Sequence, residues 1–170
     1  MSINVRYDTV YKRDTQGFRI NKGAVREFRY YIPYGSLVTI RIASTFPVIF
    51  NMSGPHMEQS EIVGTKEYKF TAEPGTELYI RFQGKSGLFT KPSNVTLEIE
   101  MYTSKDAIQI SESISNLLDA LKELGRDYYL LNKEHIQSVL KNISNVWKIL
   151  DNDTKNKAKE LITLVKQYET

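Results

Sequence analysis

The sequence predicts an α+β protein in which an N-terminal antiparallel β-sandwich of jelly-roll type precedes a C-terminal helical hairpin or small bundle. Two observations predict this class. All seven phenylalanines, all five prolines and eight of the eleven tyrosines precede Thr103. After Thr103, Leu, Ile, Lys and Asn recur at helical spacing. We therefore expect the β-sandwich at residues 1–103 and the helical region at residues 104–170.

Within residues 1–103, apolar and polar side chains alternate in short runs that are separated by turn residues. The clearest run is 37–43, in which β-branched apolar side chains occupy every second position. Seven to nine strands that recur roughly every 8–12 residues are typical of a sandwich or jelly roll. Residues 14–17 predict a turn, and residues 48–52 predict a strand separate from 37–43.

Apolar residues at three- and four-residue spacing predict amphipathic helices after residue 104. Gly125 is placed to end the first helix, and Asp151 or Asp153 is placed to begin the last one. Because the connections are short, we expect antiparallel packing, either in a compact bundle or in a hairpin that serves as an oligomerisation handle. The predicted helix interface consists of Ile110, Ile114, Leu117, Leu121, Leu124, Ile136, Leu140, Ile143, Trp147, Leu161 and Val165.

The sequence contains no cysteine, which excludes a disulfide, a thiolate metal site and a cysteine nucleophile. The two histidines, His56 and His135, are far apart in the sequence, so we do not expect a histidine-rich zinc site. Residues 84–87 contain Gly-Lys-Ser but lack the upstream glycine of a phosphate-binding loop, and they predict a hairpin turn. We therefore predict a protein that is not an enzyme, with no cofactor, no metal and no catalytic residues.

Two groups of side chains offer an enzymatic alternative. His56 lies in a predicted loop near Glu58 and Glu61, which would suit a hydrolase that uses the imidazole as a base. Glu98 and Glu100 share one strand face at about 7 Å, a separation that suits the two carboxylates of a glycoside hydrolase. Because this face lies opposite an apolar one, we interpret the two glutamates as part of a solvated outer surface.

Positive charge is concentrated near the N-terminus. The formal net charge is +3, and residues 1–45 contain eight basic and three acidic residues. Strand alternation places Arg29 and Tyr31 on one outward face, with Arg41 and Arg81 on the outward faces of other strands. This Arg/Tyr face is a candidate surface for nucleic acid or an anionic lipid headgroup. The alternative is an ordinary solvated sheet face with cross-strand pairs.

Five segments between residues 32 and 101 carry a resemblance to a known family. They are Gly35-Ser36-Leu37-Val38-Thr39-Ile40, Val48-Ile49-Phe50, Tyr68-Lys69-Phe70-Thr71-Ala72 with Pro74-Gly75, Leu78-Tyr79-Ile80-Arg81-Phe82, and Val95-Thr96-Leu97-Glu98-Ile99. Together they resemble a GOLD (Golgi dynamics) β-sandwich. The resemblance implies a non-catalytic module that binds proteins or lipids, and it transfers no individual site residues. Cargo receptors of that family have a signal peptide, a disulfide and a membrane span, which this sequence does not show, so we do not expect cargo sorting.

The leading functional hypothesis is a non-enzymatic binding or adaptor protein that acts through protein–protein contacts. The helices would be the handle for self-association or for a protein partner. No run of about 18 apolar residues occurs, so no membrane span is predicted. The polar N-terminus predicts a cytoplasmic protein. The cysteine-free composition, rich in Ile, Lys and Tyr, suits a thermophilic prokaryote or one of its viruses.

Overall fold

The computed structural model describes residues 6–170, so the first five residues of the predicted sandwich lie outside the described residues. Within that range the chain forms six strands and then four helices, with a single 3-10 turn at Trp147–Ile149. The strands are β1 (Thr9–Ile20), β2 (Val25–Ile32), β3 (Ser36–Ser53), β4 (Glu58–Ala72), β5 (Thr76–Gly84) and β6 (Ser93–Thr103). The helices are α1 (Lys105–Leu124), α2 (Arg126–Leu131), α3 (Lys133–Val146) and α4 (Asn152–Glu169). The α+β class is confirmed, and the last strand ends at Thr103, two residues before α1 begins.

All six strands belong to one antiparallel sheet that curls over itself into a half-barrel. Its strand order is β1-β6-β3-β5-β2, and β4 pairs with β3. The long strand β3 joins the two halves, because residues 37–44 pair with β6 whereas residues 48–53 pair with β5. The register shifts between Ser44 and Val48, which is where β3 leaves one partner and joins the other. The predicted sandwich is therefore a continuous sheet whose two halves enclose one core.

The number of strands differs from the predicted seven to nine for two reasons. The turn predicted at residues 14–17 is wrong, because these residues pair with β6 as part of β1. β1 is an edge strand, where polar turn-forming residues are tolerated. The Asp14 carboxylate accepts hydrogen bonds from Tyr30 at 2.7 Å and from Gln16, and these bonds hold the pKa of Asp14 below its usual value. The strands predicted at 37–43 and 48–52 are also one strand, β3.

An aromatic cluster fills the strand core and connects four strands. The ring centroid of Phe82 on β5 lies 5.3 Å from Phe50 on β3, 5.4 Å from Phe18 on β1 and 6.3 Å from Phe28 on β2. Phe50 and Phe82 are fully buried. Aromatic rings at these separations contribute both buried apolar area and favourable edge contacts. Phe82 therefore holds the two halves of the sheet together.

The helices form a compact bundle with a core of its own, so the bundle is correct and the simple hairpin is not. Gly125 ends α1 with φ +73°, as predicted. Of the predicted helix interface, Leu124 alone is exposed, at 59%. The fully buried positions are Ile114, Leu117, Leu121, Ile136, Ile143, Leu161 and Val165, and the half-buried ones that pack against them are Ile110, Leu140 and Trp147. The predicted interface residues therefore pack against one another within a single chain.

A short junction connects the sheet to the helical bundle. The backbone N–H of Gly35, in the β2–β3 connection, donates to the Ile149 carbonyl at 2.9 Å. The Thr103 hydroxyl donates to the carbonyl of Gly35 at 2.8 Å. The hydroxyl of Tyr31 on β2 donates to Oδ2 of Asp151 at 2.6 Å, and Oδ1 of Asp151 accepts the Thr154 N–H at the start of α4. One carboxylate thus caps a helix and binds the sheet.

The charge state of Asp151 is set by this junction. Burial alone would raise the pKa of Asp151, but the hydrogen bonds from Tyr31 and Thr154 outweigh it and hold the pKa below the ordinary value. The same bond, together with burial, raises the pKa of Tyr31 to about 12. Both shifts mean that the pair is most stable with a charged carboxylate and a neutral phenol.

Replacing Asp151 with alanine is expected to lower the free energy of unfolding by about 2–4 kcal/mol at neutral pH, since a helix cap and a charged hydrogen bond are both lost. Because the folded pKa of Asp151 lies below the unfolded value of about 3.9, its contribution is complete above about pH 5 and is lost as pH falls below about 4. Urea unfolding of wild type and Asp151→Ala at neutral and acidic pH measures this. The difference between the two proteins should shrink in acid.

The matched control is Asp151→Asn, which retains a side-chain acceptor for the α4 cap but carries no charge. We expect it to lose less stability than Asp151→Ala at neutral pH. A difference between wild type and Asp151→Ala that stays constant down to about pH 3 would contradict the role of the ionised carboxylate.

Candidate functional site

The structure separates the predicted Arg/Tyr face into two areas of the sheet. Arg29 on β2 pairs with Tyr79 on β5, and Arg81 on β5 pairs with Glu27, so these arginines share one half of the sheet. Arg41 lies on the other half, between β4 and β6. The register shift of β3 between Ser44 and Val48 separates Arg41 from Asn51, the partner of Arg81, so the two arginines lie on different halves of the curled sheet. The four predicted residues are therefore not one surface.

The predicted Arg/Tyr residues are also engaged within the chain. Arg41 forms ion pairs with Glu67 at 3.3 Å and Glu100 at 3.9 Å. Arg81 lies 3.7 Å from the Glu27 carboxylate, and the Arg29 guanidinium lies over the Tyr79 ring at 5.4 Å. The Tyr31 hydroxyl is held by the helical region, as described above. Acidic partners thus balance much of the positive charge on these outer faces.

The structure brings His56 close to one of its two predicted acidic neighbours. Nε2 of His56 is 3.7 Å from Glu58, and its ring stacks on Phe70 with centroids 5.2 Å apart. Glu61 instead binds Lys85 at 2.7 Å, near the other end of the sheet. Within residues 6–170, no cluster of three or more His, Cys, Asp or Glu side chains is arranged to hold a metal ion.

Glu98 and Glu100 lie on the outer face of β6, as expected from the alternation. Tyr102 donates a hydrogen bond to Glu100, and Arg13 and Arg41 both lie within 4.0 Å of the same carboxylate. Glu100 is therefore part of a cross-strand network on the solvated surface.

The end of the sheet opposite the helices carries a group of exposed apolar side chains. We define this distal end as residues 19–25, 44–48, 61–65 and 83–94, which strand pairing brings together: Ile20 with Ser93, Val25 with Gln83, and Val48 with both Gly84 and Ile62. The exposed apolar side chains at the distal end are Val25, Phe46, Val63, Leu88 and Phe89. Sequence analysis missed this feature, although adjacent apolar residues in a loop rich in Gly, Ser and Pro were a signal of it.

The β5–β6 loop at the distal end is anchored at its base. The N–H of Gly23, in the β1–β2 turn, donates to the carbonyl of Gly84, where the loop begins, at 2.9 Å. Nζ of Lys22 donates to the Gly87 carbonyl at 3.1 Å, and the Thr90 hydroxyl donates to the same carbonyl at 3.0 Å. These hydrogen bonds tie the base of the loop to its neighbours, and the side chains of Leu88 and Phe89 at its tip are exposed.

A second set of exposed apolar side chains lies on the helical region, at the C-terminal ends of α1 and α2. We define the leucine patch as Leu124, Leu130 and Leu131, of which Leu131 is 86% exposed. Gly125, with φ +73°, ends α1 between Leu124 and the other two leucines. Leu124 was predicted to be an interface residue, and its side chain is not used in the bundle core. None of the helices within residues 6–170 is long and apolar enough to span a membrane.

Comparisons with known proteins give distant structural neighbours. No protein-family model matches the chain, and no curated protein matches it. PliG, a periplasmic inhibitor of g-type lysozyme from Aeromonas hydrophila, is similar at a TM-score of 0.39 and 11% identity, over 52% of this chain and 85% of that chain. A de novo designed double-stranded β-helix is similar at a TM-score of 0.34 and 16% identity, over 52% of this chain and 97% of that chain.

A third neighbour is the carbohydrate-binding module CBM36 in complex with calcium and xylotriose. Its TM-score is 0.30 and its identity 12%, over 59% of this chain and 99% of that chain. All three TM-scores lie below 0.5, so these similarities carry no argument about the function of this chain.

Proposed function

We propose that the protein is a non-enzymatic binding or adaptor protein whose helical region associates with a second copy of the chain through the leucine patch. The observation that supports this proposal is the exposure of Leu124, Leu130 and Leu131 on a bundle whose other predicted interface residues are buried or half-buried. Large exposed apolar side chains grouped on a folded domain are typical of protein contacts.

The charge of the helical region supports a contact between identical chains. Residues 105–170 contain ten basic and ten acidic side chains, so two copies do not repel each other through net charge. Around the leucine patch both signs are present, with Lys122 and Arg126 beside Glu123 and Asp127. A two-fold contact places the same patch on both subunits, and this requires a surface that is complementary to itself.

The strand region is proposed to be the part that contacts other molecules. The resemblance of residues 32–101 to GOLD sandwiches supports this role, because that family's sandwiches bind proteins or lipids without catalysis. The anionic-ligand alternative through Arg29, Arg41 and Arg81 is less well supported, since acidic side chains lie beside Arg41 and Arg81. The cytoplasmic location stays a prediction.

Leu131→Ser and Leu124→Ser are each expected to weaken dimerisation by at least about tenfold in Kd. In a two-fold symmetric dimer each substitution removes the leucine from both subunits. Burying one leucine contributes about 1.5–3 kcal/mol to the free energy of association. Sedimentation velocity over a wide concentration range measures the effect. The matched control is Leu88→Ser, which removes a leucine about as exposed as Leu131 from the distal end and should leave dimerisation unchanged.

Two results would contradict self-association through the leucine patch. One is a wild-type protein that stays monomeric at every concentration. The other is a dimer whose Kd is the same in wild type and in Leu131→Ser. At protein concentrations well below the wild-type Kd, where every variant is monomeric, both variants should keep the wild-type unfolding midpoint, which separates lost association from lost folding.

A further inference from the structure

We infer that the distal end binds an anionic lipid surface, with Leu88 and Phe89 inserting among the acyl chains and nearby lysines contacting the headgroups. This surface lies at the opposite end of the sheet from the helical junction, and the inference is independent of the leucine patch. It also differs from the Arg/Tyr face, because its inserting side chains and its lysines lie in the β1–β2 and β5–β6 connections.

The first argument is the exposure of apolar side chains. Leu88 is 92% exposed and Phe89 is 96% exposed, at the tip of the β5–β6 loop. Among residues 6–170, five of the ten large hydrophobic side chains that are exposed lie at the distal end. Adjacent Leu and Phe side chains that are almost fully exposed contribute nothing to the folded core. Such a tip is suited to an apolar environment outside the protein.

The second argument is charge. The distal end contains four basic residues, Arg19, Lys22, Lys85 and Lys91, and a single acidic residue, Glu61. Glu61 is paired with Lys85 at 2.7 Å. The distal end therefore carries three net positive charges, as many as the whole chain. Positive charge close to a lipid-facing surface is attracted to anionic headgroups.

The third argument is the position of the lysines relative to the apolar tip. Lys85 precedes Leu88 by three residues, and Lys91 follows Phe89 by two, so positive charges lie on both sides of the tip. Lys22 reaches the tip from the β1–β2 turn through its hydrogen bond to the Gly87 carbonyl. Apolar side chains at a loop tip, with positive side chains beside them, suit an anionic bilayer, because its negatively charged headgroups cover an apolar interior.

The fourth argument is that this arrangement exists before binding. Besides the anchored β5–β6 loop, residues 45–47 are held by Ser93, whose hydroxyl accepts the Phe46 N–H at 3.1 Å. Lys91 lies over the Phe46 ring at 5.5 Å, which keeps this side chain next to the loop. A surface that is already ordered loses little conformational entropy on binding.

Binding of the full-length protein to vesicles tests the inference. Wild type is expected to co-sediment with phosphatidylcholine vesicles that contain phosphatidylserine, and to bind pure phosphatidylcholine much less. The double variant Leu88→Ser/Phe89→Ser should lower the partition coefficient by at least about tenfold, because it removes the inserting side chains. Lys85→Gln and Lys91→Gln should each lower it about fivefold, and added salt should reduce wild-type binding.

A positional measurement shows whether the loop tip enters the bilayer. In Phe89→Trp, the added indole emission should shift to shorter wavelength when anionic vesicles are present, relative to the wild-type emission from Trp147. Met57→Ser is the control variant, because it removes an exposed apolar side chain that lies outside both the distal end and the leucine patch, and it should bind vesicles as wild type does. The inference is overturned if wild type does not bind anionic vesicles, or if Leu88→Ser/Phe89→Ser binds them equally well. It is also overturned if the added indole emission of Phe89→Trp is the same with and without anionic vesicles. That result is expected if the loop tip is a contact for a protein partner and does not enter a bilayer.

Discussion

Replacing Phe82 with alanine is expected to lower the free energy of unfolding by about 3–5 kcal/mol. Phe82 is fully buried, and its ring contacts the rings of Phe18, Phe28 and Phe50. These four side chains come from four strands, so the cavity left by the substitution would lie between the two halves of the curled sheet. The surrounding rings are fixed by their own strands and cannot fill it fully. Urea unfolding followed by circular dichroism measures the loss.

The matched control is the same substitution at the surface. Phe89→Ala removes an equal side chain from the tip of the β5–β6 loop, where it is almost fully exposed. We expect its unfolding free energy to stay within about 0.5 kcal/mol of wild type. If Phe82→Ala cost less than about 1 kcal/mol, Phe82 would not join the two halves of the sheet as described.

Gly84→Ala is expected to destabilise the protein by about 3 kcal/mol or more, because a Cβ at this position would overlap the backbone. The added carbon would lie 1.9 Å from the carbonyl oxygen of Asn21. The β1–β2 turn would have to move away. It would then break the two hydrogen bonds of 2.9 Å that Gly84 makes, with the N–H of Gly23 and with the carbonyl of Ala24.

Gly17→Ala is the control for Gly84→Ala. Gly17 lies within the edge strand β1, and no atom lies within 4 Å of a Cβ added there. Alanine loses less backbone entropy on folding than glycine, so this variant should keep or gain up to about 1 kcal/mol. Thermal unfolding of both variants measures the contrast. A Gly84→Ala protein as stable as Gly17→Ala would contradict the close approach of the β1–β2 turn to β5.

Side-chain direction along the strands could be predicted from the sequence because it depends on local geometry alone. In β3, Val38, Ile40 and Ile42 were predicted to share one face, and all three are buried. Leu78 and Ile80 in β5 follow the same alternation, and both are buried. Alternation has a period of two residues in any strand, so the inner face is recognisable without knowledge of its partners. The apolar faces of the helices could also be predicted, because side chains on one face of a helix recur about every 3.6 residues.

The extent of the strands could not be predicted in the same way. Residues 14–17 are typical of a turn, yet β6 provides backbone partners that keep them extended. Residues 45–47 look like an interruption between two strands, yet β4 pairs on both sides of them and makes β3 a single element. In both places a partner distant in sequence outweighs a local preference for a turn.

For the candidate sites too, local patterns predicted which way side chains point but not which distant residues they meet. Alternation placed Arg29, Arg41 and Arg81 on outward faces, but it could not show that the sheet curls and places Arg41 on a different half. Tyr31 was predicted to be a binding residue, and its hydroxyl instead binds Asp151, 120 positions later. Heptad spacing included Leu124 in the interface, although Gly125 ends α1 before any neighbour covers it.

By itself, the sequence determined the α+β class, the change from strands to helices near Thr103, and the inner face of most elements. These properties follow from residue periodicity and glycine or proline positions, which act over a few neighbouring residues. The tertiary structure alone decided how the sheet curls, which arginines meet acidic partners, and which apolar residues stay exposed at the distal end and the leucine patch. Those outcomes depend on contacts between residues far apart in sequence, and local patterns contain no information about which distant segments meet.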